Sequence, residues 1–119
     1  SEPAQRWETL RRQALGDGLM EVIVSLLGER ARPEALRSEP HLATHALKIK
    51  MTLDLLEREA SAPRDVLDAG AIAIACALSH LDFRFAADNW RQGRDKLAAW
   101  HAAIAARPSM KATEFADVY

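Results

Sequence analysis

The chain has 119 residues, and its 16 basic side chains are nearly balanced by 17 acidic ones. This length is typical of one domain with its own core, and a formal net charge of −1 gives no overall attraction to nucleic acid or to an anionic membrane. The single cysteine, Cys76, excludes an internal disulfide, and the longest apolar run is about half of what a membrane span needs. We therefore expect a soluble, cytoplasmic protein, with no signal or transit peptide at its start.

The first predicted element is a long amphipathic helix that begins near Pro3 and ends before Pro33. Its apolar residues recur at three- and four-residue steps over residues 7–27. Gly16 and Gly18 lie inside it, where each glycine costs about 1 kcal/mol relative to alanine. Two interpretations stay open for them: the glycines let another helix approach closely, or they leave room for a ligand.

A second helix is predicted to begin after Ser38, which is a good N-cap, with Pro40 in its first turn. The sequence Ser61-Ala62-Pro63 breaks it. The short connection between the first two helices predicts that they pack antiparallel. The stripe expected to be buried consists of Leu42, Ala46, Ile49, Leu53 and Leu56.

The third predicted helix begins at the cap residue Asp68 and ends around residues 79–82. Residues 69–78 are apolar nearly all round, which is typical of a buried helix. A fourth helix is predicted from Arg94 to Ala106, where Pro108 stops it and Ser109 caps a last short turn. Its apolar Leu97, Trp100 and Ile104 are expected to point inward, and its polar Lys96, His101 and Arg107 outward.

The sequence contains no nucleotide-binding, hydrolase or complete metal motif. His41 and His45 have the spacing that places two imidazoles on one helix face, but no third ligand accompanies them, so we predict no metal site. His80 and His101 are interpreted as partly buried, hydrogen-bonded residues rather than catalytic bases. Cys76 lies in the most apolar segment, where burial would leave its thiol inert.

Five short segments occur in order along the second half of the chain, and three more occur in the first half. The segments are Trp7-Glu8-x-Leu10, Asp17-Gly18, Glu29-Arg30, Ala71 to Leu78, Leu81-Asp82-Phe83-Arg84, Trp90-Arg91, Leu97-Ala98-Ala99-Trp100 and Ala106-Arg107-Pro108-Ser109. The series resembles the C-terminal helical domain of bacterial glutathione transferases over essentially the whole chain. One departure is that Asp68 takes the cap of the central helix while Ala71 stands where the family has a second capping carboxylate.

The resemblance implies a division of labour between two domains. A preceding thioredoxin-like domain would hold glutathione and supply the group that stabilises its thiolate, so no catalytic residue and no cofactor is assigned to this chain. The present domain would form one wall of the site for the electrophile. The positions of this chain that match the wall of that site in the family are Gly16 and Asp17. Gln13 and Met20 lie about one turn away from them. An aspartate would repel a thiolate unless paired, which favours a structural or steering role for Asp17.

We therefore predict one all-α domain, residues 1–119, of about five helices. The predicted function is the electrophile-binding and subunit-contacting half of an enzyme that conjugates glutathione to small hydrophobic electrophiles. Its expected partners are the thioredoxin-like domain of the same protein and a second subunit that meets its first two helices. Apolar groups around Trp7, Leu10 and Met20 should be uncovered in the isolated chain. The alternatives are a stand-alone, non-catalytic interaction module of the same fold, and an unrelated bundle.

Overall fold

The computed structural model describes residues 2–60 and 68–112, and over these ranges the regular structure is entirely helical. Five α-helices follow one another: α1 (Glu2–Ala31), α2 (Glu39–Glu59), α3 (Ala69–Arg84), α4 (Asp95–Ala105) and α5 (Pro108–Lys111). Single 3-10 turns at Glu34–Leu36 and Ala86–Asp88 precede α2 and follow α3. The all-α prediction is confirmed.

Two boundaries differ from the predictions. The helix α3 continues to Arg84, beyond the predicted end at residues 79–82. Ser109 does not cap α5, because Arg107 occupies the N-cap position and Pro108 opens the helix. The predicted break at residues 61–63 lies outside the described residues.

Helices α1 and α2 are antiparallel, as predicted. Arg11 near the start of α1 meets Glu59 at the end of α2, with 2.5 Å between Nη2 and Oε1. At the opposite end, Glu29 of α1 accepts a hydrogen bond of 2.6 Å from the backbone N–H of Ser38, the N-cap of α2. This bond lowers the pKa of the Glu29 carboxyl below its usual value. The two polar contacts therefore fix the ends of the helix pair.

Helices α1 and α3 are parallel and very close together. An ideal Cβ built on Gly16 would lie 2.6 Å from the backbone carbon of Ala73, and one built on Gly70 would lie 2.9 Å from the carbonyl oxygen of Thr9. Real Cβ atoms essentially never approach another atom so closely. The two backbones thus meet at a glycine from each helix: Gly16 near the middle of α1 and Gly70 at the start of α3.

Asp68 connects the start of α3 to α1. Its Oδ1 accepts a 2.8 Å hydrogen bond from the backbone N–H of Ala71, which makes it the N-cap of α3. Its Oδ2 lies 3.4 Å from the hydroxyl of Thr9 and 3.5 Å from the guanidinium of Arg12, both on α1. Ala71 has no side-chain acceptor, so the second bond of a capping box is not formed.

Asp68→Ala is expected to lower the free energy of unfolding by about 1–2 kcal/mol, because the first turn of α3 loses its side-chain acceptor. Urea unfolding followed by circular dichroism measures the change. Asp68→Asn, which keeps an acceptor oxygen, should lose less than the alanine variant. Equal stability of the alanine variant and the parent chain would contradict the assigned cap.

The start of α4 is held by α2 rather than by a capping residue of its own. Arg94, at the N-cap position, forms no side-chain cap. Instead, the Glu57 carboxylate accepts a hydrogen bond of 2.7 Å from the backbone N–H of Leu97. Asp54, one turn earlier on α2, accepts from Nε of Arg94 at 3.0 Å. A tertiary contact therefore satisfies the amides that begin α4.

His101 is buried, so the prediction that it points outward is wrong, whereas the interpretation of it as a hydrogen-bonded residue is confirmed. It is only 4% exposed. Its Nε2 lies 2.9 Å from the hydroxyl of Ser79 on α3, and its Nδ1 lies 3.3 Å from the guanidinium of Arg91. Burial lowers the pKa of His101 below its usual 6.5, with the charge of Arg91 acting in the same direction and that of Asp82 opposing it. As predicted, Leu97, Trp100 and Ile104 of the same helix are buried.

Candidate functional site

Three of the four predicted site residues share one flank of α1. Gln13, Asp17 and Met20 are spaced by four and three residues, which places them on one face of the helix. Gln13 and Met20 are half-buried and Asp17 is exposed. This flank lies beside α3, because Gly16, on the adjacent face, packs against Ala73. We call this surface the α1/α3 flank.

The fourth site residue, Gly16, contacts α3 rather than an open space. The volume that a side chain would occupy is filled by the backbone of Ala73 and Ile74. Close helix approach, one of the two open interpretations, therefore accounts for Gly16. Gly18 differs, because nothing lies within 4 Å of the position of its missing Cβ.

The sequence did not point to His80 as a neighbour of this flank. His80 lies on α3, and its Nδ1 is 2.9 Å from the thioether sulfur of Met20. Because a thioether only accepts hydrogen bonds, this contact needs the proton on Nδ1. Burial, together with the charge of Arg84, lowers the pKa of His80 below its usual value, which favours the neutral ring. The spacing of 60 residues between His80 and Met20 leaves no local signal for the contact.

Apolar side chains remain uncovered near the flank. Trp7 and Leu10 on α1 are 75% and 48% exposed, as predicted, and they line an open groove with Pro3 and Arg6. Met20 differs from the prediction, since it is half-buried and contacts His80. On α3, Ile72 is exposed, and Cys76 is half-buried, where desolvation raises the pKa of its thiol.

His41 and His45 lie side by side on α2, with ring centroids 6.4 Å apart. Over residues 2–60 and 68–112, no group of three or more histidine, cysteine, aspartate or glutamate side chains has the geometry to hold a metal ion. No helix in the same ranges is both long enough and apolar enough to cross a membrane.

Comparison with known proteins identifies the family. Residues 39–103 match the model of the glutathione S-transferase C-terminal domain. The chain therefore belongs to the glutathione S-transferase family and corresponds to its C-terminal helical domain.

Individual relatives agree with this assignment. A GST-like protein of Escherichia coli K12, YibF, is 33% identical over 116 residues, which is 95% of this chain and 57% of that protein. A glutathione transferase family member from Pseudomonas fluorescens Pf-5, solved with bound S-(propanoic acid)-glutathione, superposes with a TM-score of 0.86 and 39% identity, over 94% of this chain and 58% of that one. A glutathione S-transferase from Methylobacterium radiotolerans, in complex with glutathione sulfonate, has a TM-score of 0.81 and 30% identity, over 93% and 55%. The chain thus spans little more than half the length of these relatives.

Proposed function

We propose that this chain is the electrophile-binding and subunit-contacting domain of a glutathione transferase that conjugates glutathione to small hydrophobic electrophiles. The observation that carries the proposal is the α1/α3 flank, where half-buried Gln13 and Met20 and exposed Asp17 lie next to uncovered apolar side chains in a chain of this family. Such a surface offers apolar contact together with a few polar groups that orient a ligand.

The proposed reaction joins the sulfur of glutathione to an electrophilic carbon. The thiolate donates the electron pair of the new S–C bond, and the displaced pair leaves with a leaving group or is taken up by a conjugated acceptor that is then protonated. Glutathione would be held by a preceding thioredoxin-like domain. Met20 would supply an apolar wall to the electrophile and Gln13 a hydrogen-bonding amide, while the charge of Asp17 would keep the thiolate away from that end of the site.

The thioether bound to the Pseudomonas fluorescens relative supports a small electrophile. In that complex, the sulfur of glutathione carries a propanoic acid group. A substituent of this size is consistent with a site bounded by Gln13 and Met20 on one side.

A second subunit is proposed to cover the outer face of α2. Leu47 and Met51 are one turn apart on this helix and are both more than half exposed, and Leu36 in the preceding 3-10 turn is also exposed. Unpaired apolar side chains on one face favour association through a two-fold interface that includes α2. The stand-alone interaction module would use the same face without any glutathione chemistry.

The isolated 119-residue chain is expected neither to bind glutathione resin nor to conjugate an aromatic electrophile, and to self-associate at micromolar concentration. We expect no binding and no conjugation because glutathione would be held by the preceding thioredoxin-like domain. We expect self-association because the apolar side chains of Trp7, Leu47 and Met51 are uncovered. Resin retention, a conjugation assay and light scattering measure the three properties. Specific elution from the resin by glutathione would overturn the proposal, and a monomer that also fails to bind a hydrophobic dye would favour the module.

A further inference from the structure

A second concave site lies away from the α1/α3 flank. It opens between the C-terminal part of α1, the middle of α2 and the segment that follows α3, and its volume is about 200 Å³. None of Gln13, Gly16, Asp17 and Met20 lines it. Its floor consists of buried apolar side chains: Leu26, Ile49, Leu53, Leu81, Phe85 and Trp90.

The volume limits what this cavity can hold. An apolar cavity of about 150 Å³ is large enough to bind benzene. The cavity is therefore large enough for one aromatic ring with a small substituent. It is smaller than the roughly 300–1,000 Å³ of sites that take drug-sized ligands, which excludes a glutathione conjugate. Phe85 and Trp90 contribute aromatic surface to this floor, beside the guanidinium groups of Arg30 and Arg91 that stack on their rings.

The mouth of the cavity is positively charged. Among the described residues, Arg30, Lys50 and Arg94 line it, together with one carboxylate, Asp88. A second carboxylate, Asp54, accepts hydrogen bonds from Lys50 and Arg94. The three positive side chains therefore exceed the two carboxylates by one charge. A carboxylate from a ligand would therefore meet an excess of positive charge at the cavity mouth.

Arg30 and Lys50 are the cations best placed to meet that carboxylate. Arg30 meets Asp88 through Nη2 at 3.2 Å, and its guanidinium carbon lies 4.8 Å from the centroid of the Phe85 ring, directly above the apolar floor. Lys50 carries three N–H donors and meets Asp54 through one of them at 3.1 Å. Both side chains are substantially exposed at the rim, so each can turn toward a new anion without leaving a buried charge.

We propose that this cavity is a binding site for a monocyclic aromatic carboxylate. The ring packs against the apolar side chains of the floor, and the carboxylate accepts hydrogen bonds from Arg30 and Lys50. The site is separate from the proposed electrophile site, so it can be tested without any conjugation activity.

The test is titration of the 119-residue chain with benzoate, followed by the ¹⁵N–¹H signals of the tryptophan indoles. The signal of the Trp90 indole N–H should shift in a saturable manner. The signal of Trp7 should not shift, because Trp7 lies near the start of α1 and the cavity adjoins the end of that helix. Benzyl alcohol, which has the ring but no charge, should bind more weakly than benzoate. The absence of a saturable Trp90 shift, or a shift confined to Trp7, would overturn the proposal.

Three variants separate the contribution of the ring from that of the charge. Ala46→Leu places a larger side chain in the cavity wall and should weaken benzoate binding about tenfold or more, whereas Ala43→Leu, on the same helix but outside the cavity lining, should not. Arg30→Gln should weaken benzoate binding about fivefold and leave benzyl alcohol unchanged, as expected for a partly exposed ion pair. Equal affinities in the Ala46 and Ala43 variants would contradict the assigned site.

Discussion

Gly16→Ala is expected to lower the free energy of unfolding by about 2 kcal/mol. The added methyl would lie 2.6 Å from the backbone carbon of Ala73 and 2.6 Å from the backbone nitrogen of Ile74. Backbone atoms cannot rotate away as a side chain can, so α1 and α3 must separate and loosen the core packing between them. This cost exceeds the gain of about 1 kcal/mol that alanine brings to a helix interior.

Gly18→Ala is the matched control, because it makes the same change two residues further along α1. Nothing lies within 4 Å of its added methyl, so only the helix preference acts and stability should rise by about 0.5–1 kcal/mol. Urea unfolding of the two variants gives changes of opposite sign if α1 and α3 meet at Gly16. Two stabilised variants would contradict the parallel contact of these helices.

Asp82→Ala is expected to lower the free energy of unfolding by about 2 kcal/mol. Asp82 accepts a 2.8 Å hydrogen bond from the indole N–H of Trp90 and pairs with both terminal nitrogens of Arg91, one of them at 2.7 Å. Trp90 is only 5% exposed, so its N–H would lose its partner within the core. Burial opposes ionisation of Asp82, but the hydrogen bonds from Arg91 and Trp90 outweigh it and lower the pKa of the carboxyl.

Asp88→Ala is the comparison for this substitution. Asp88 forms an ion pair with Arg30 at 3.2 Å, but both side chains are largely exposed. The loss should therefore stay within about 0.5 kcal/mol. Thermal unfolding of the two variants separates the cases, and similar melting temperatures would show that the contacts of Asp82 add little to the attachment of α3 to the segment that precedes α4.

The local signals in the sequence predicted most of the helices. Ser38 and Asp68 cap helices where their short polar side chains indicated, and the antiparallel packing of α1 and α2 followed from their short connection. The errors occurred where tertiary partners outweigh local signals. The polar residues after Leu78 suggested a helix end, yet α3 continues because Ser79 and Asp82 find partners on α4 and in the preceding segment.

His101 and His80 show two different reasons for a missed contact. His101 follows Leu97 by four residues, so periodicity places it on the inward face of α4, whereas its polarity favours the outward face. The contact between His80 and Met20 could not be predicted from the sequence, because it depends on the parallel register of α1 and α3. The flank itself was predicted from the family resemblance, which pointed to Asp17, and from helical spacing, which added Gln13 and Met20.

A chimera tests the proposed function most directly. In it, this chain replaces the matching region of the Pseudomonas fluorescens transferase, with which it shares 39% identity. The chimera should bind glutathione resin and conjugate an apolar electrophile. Met20→Ala should raise the KM for that electrophile about tenfold and leave the KM for glutathione unchanged, because only the electrophile is expected to touch this side chain. Lys48→Ala, exposed on α2, should change neither constant. A folded chimera that binds glutathione but does not conjugate, or one in which Met20→Ala leaves the electrophile KM unchanged, would contradict the assignment of the α1/α3 flank.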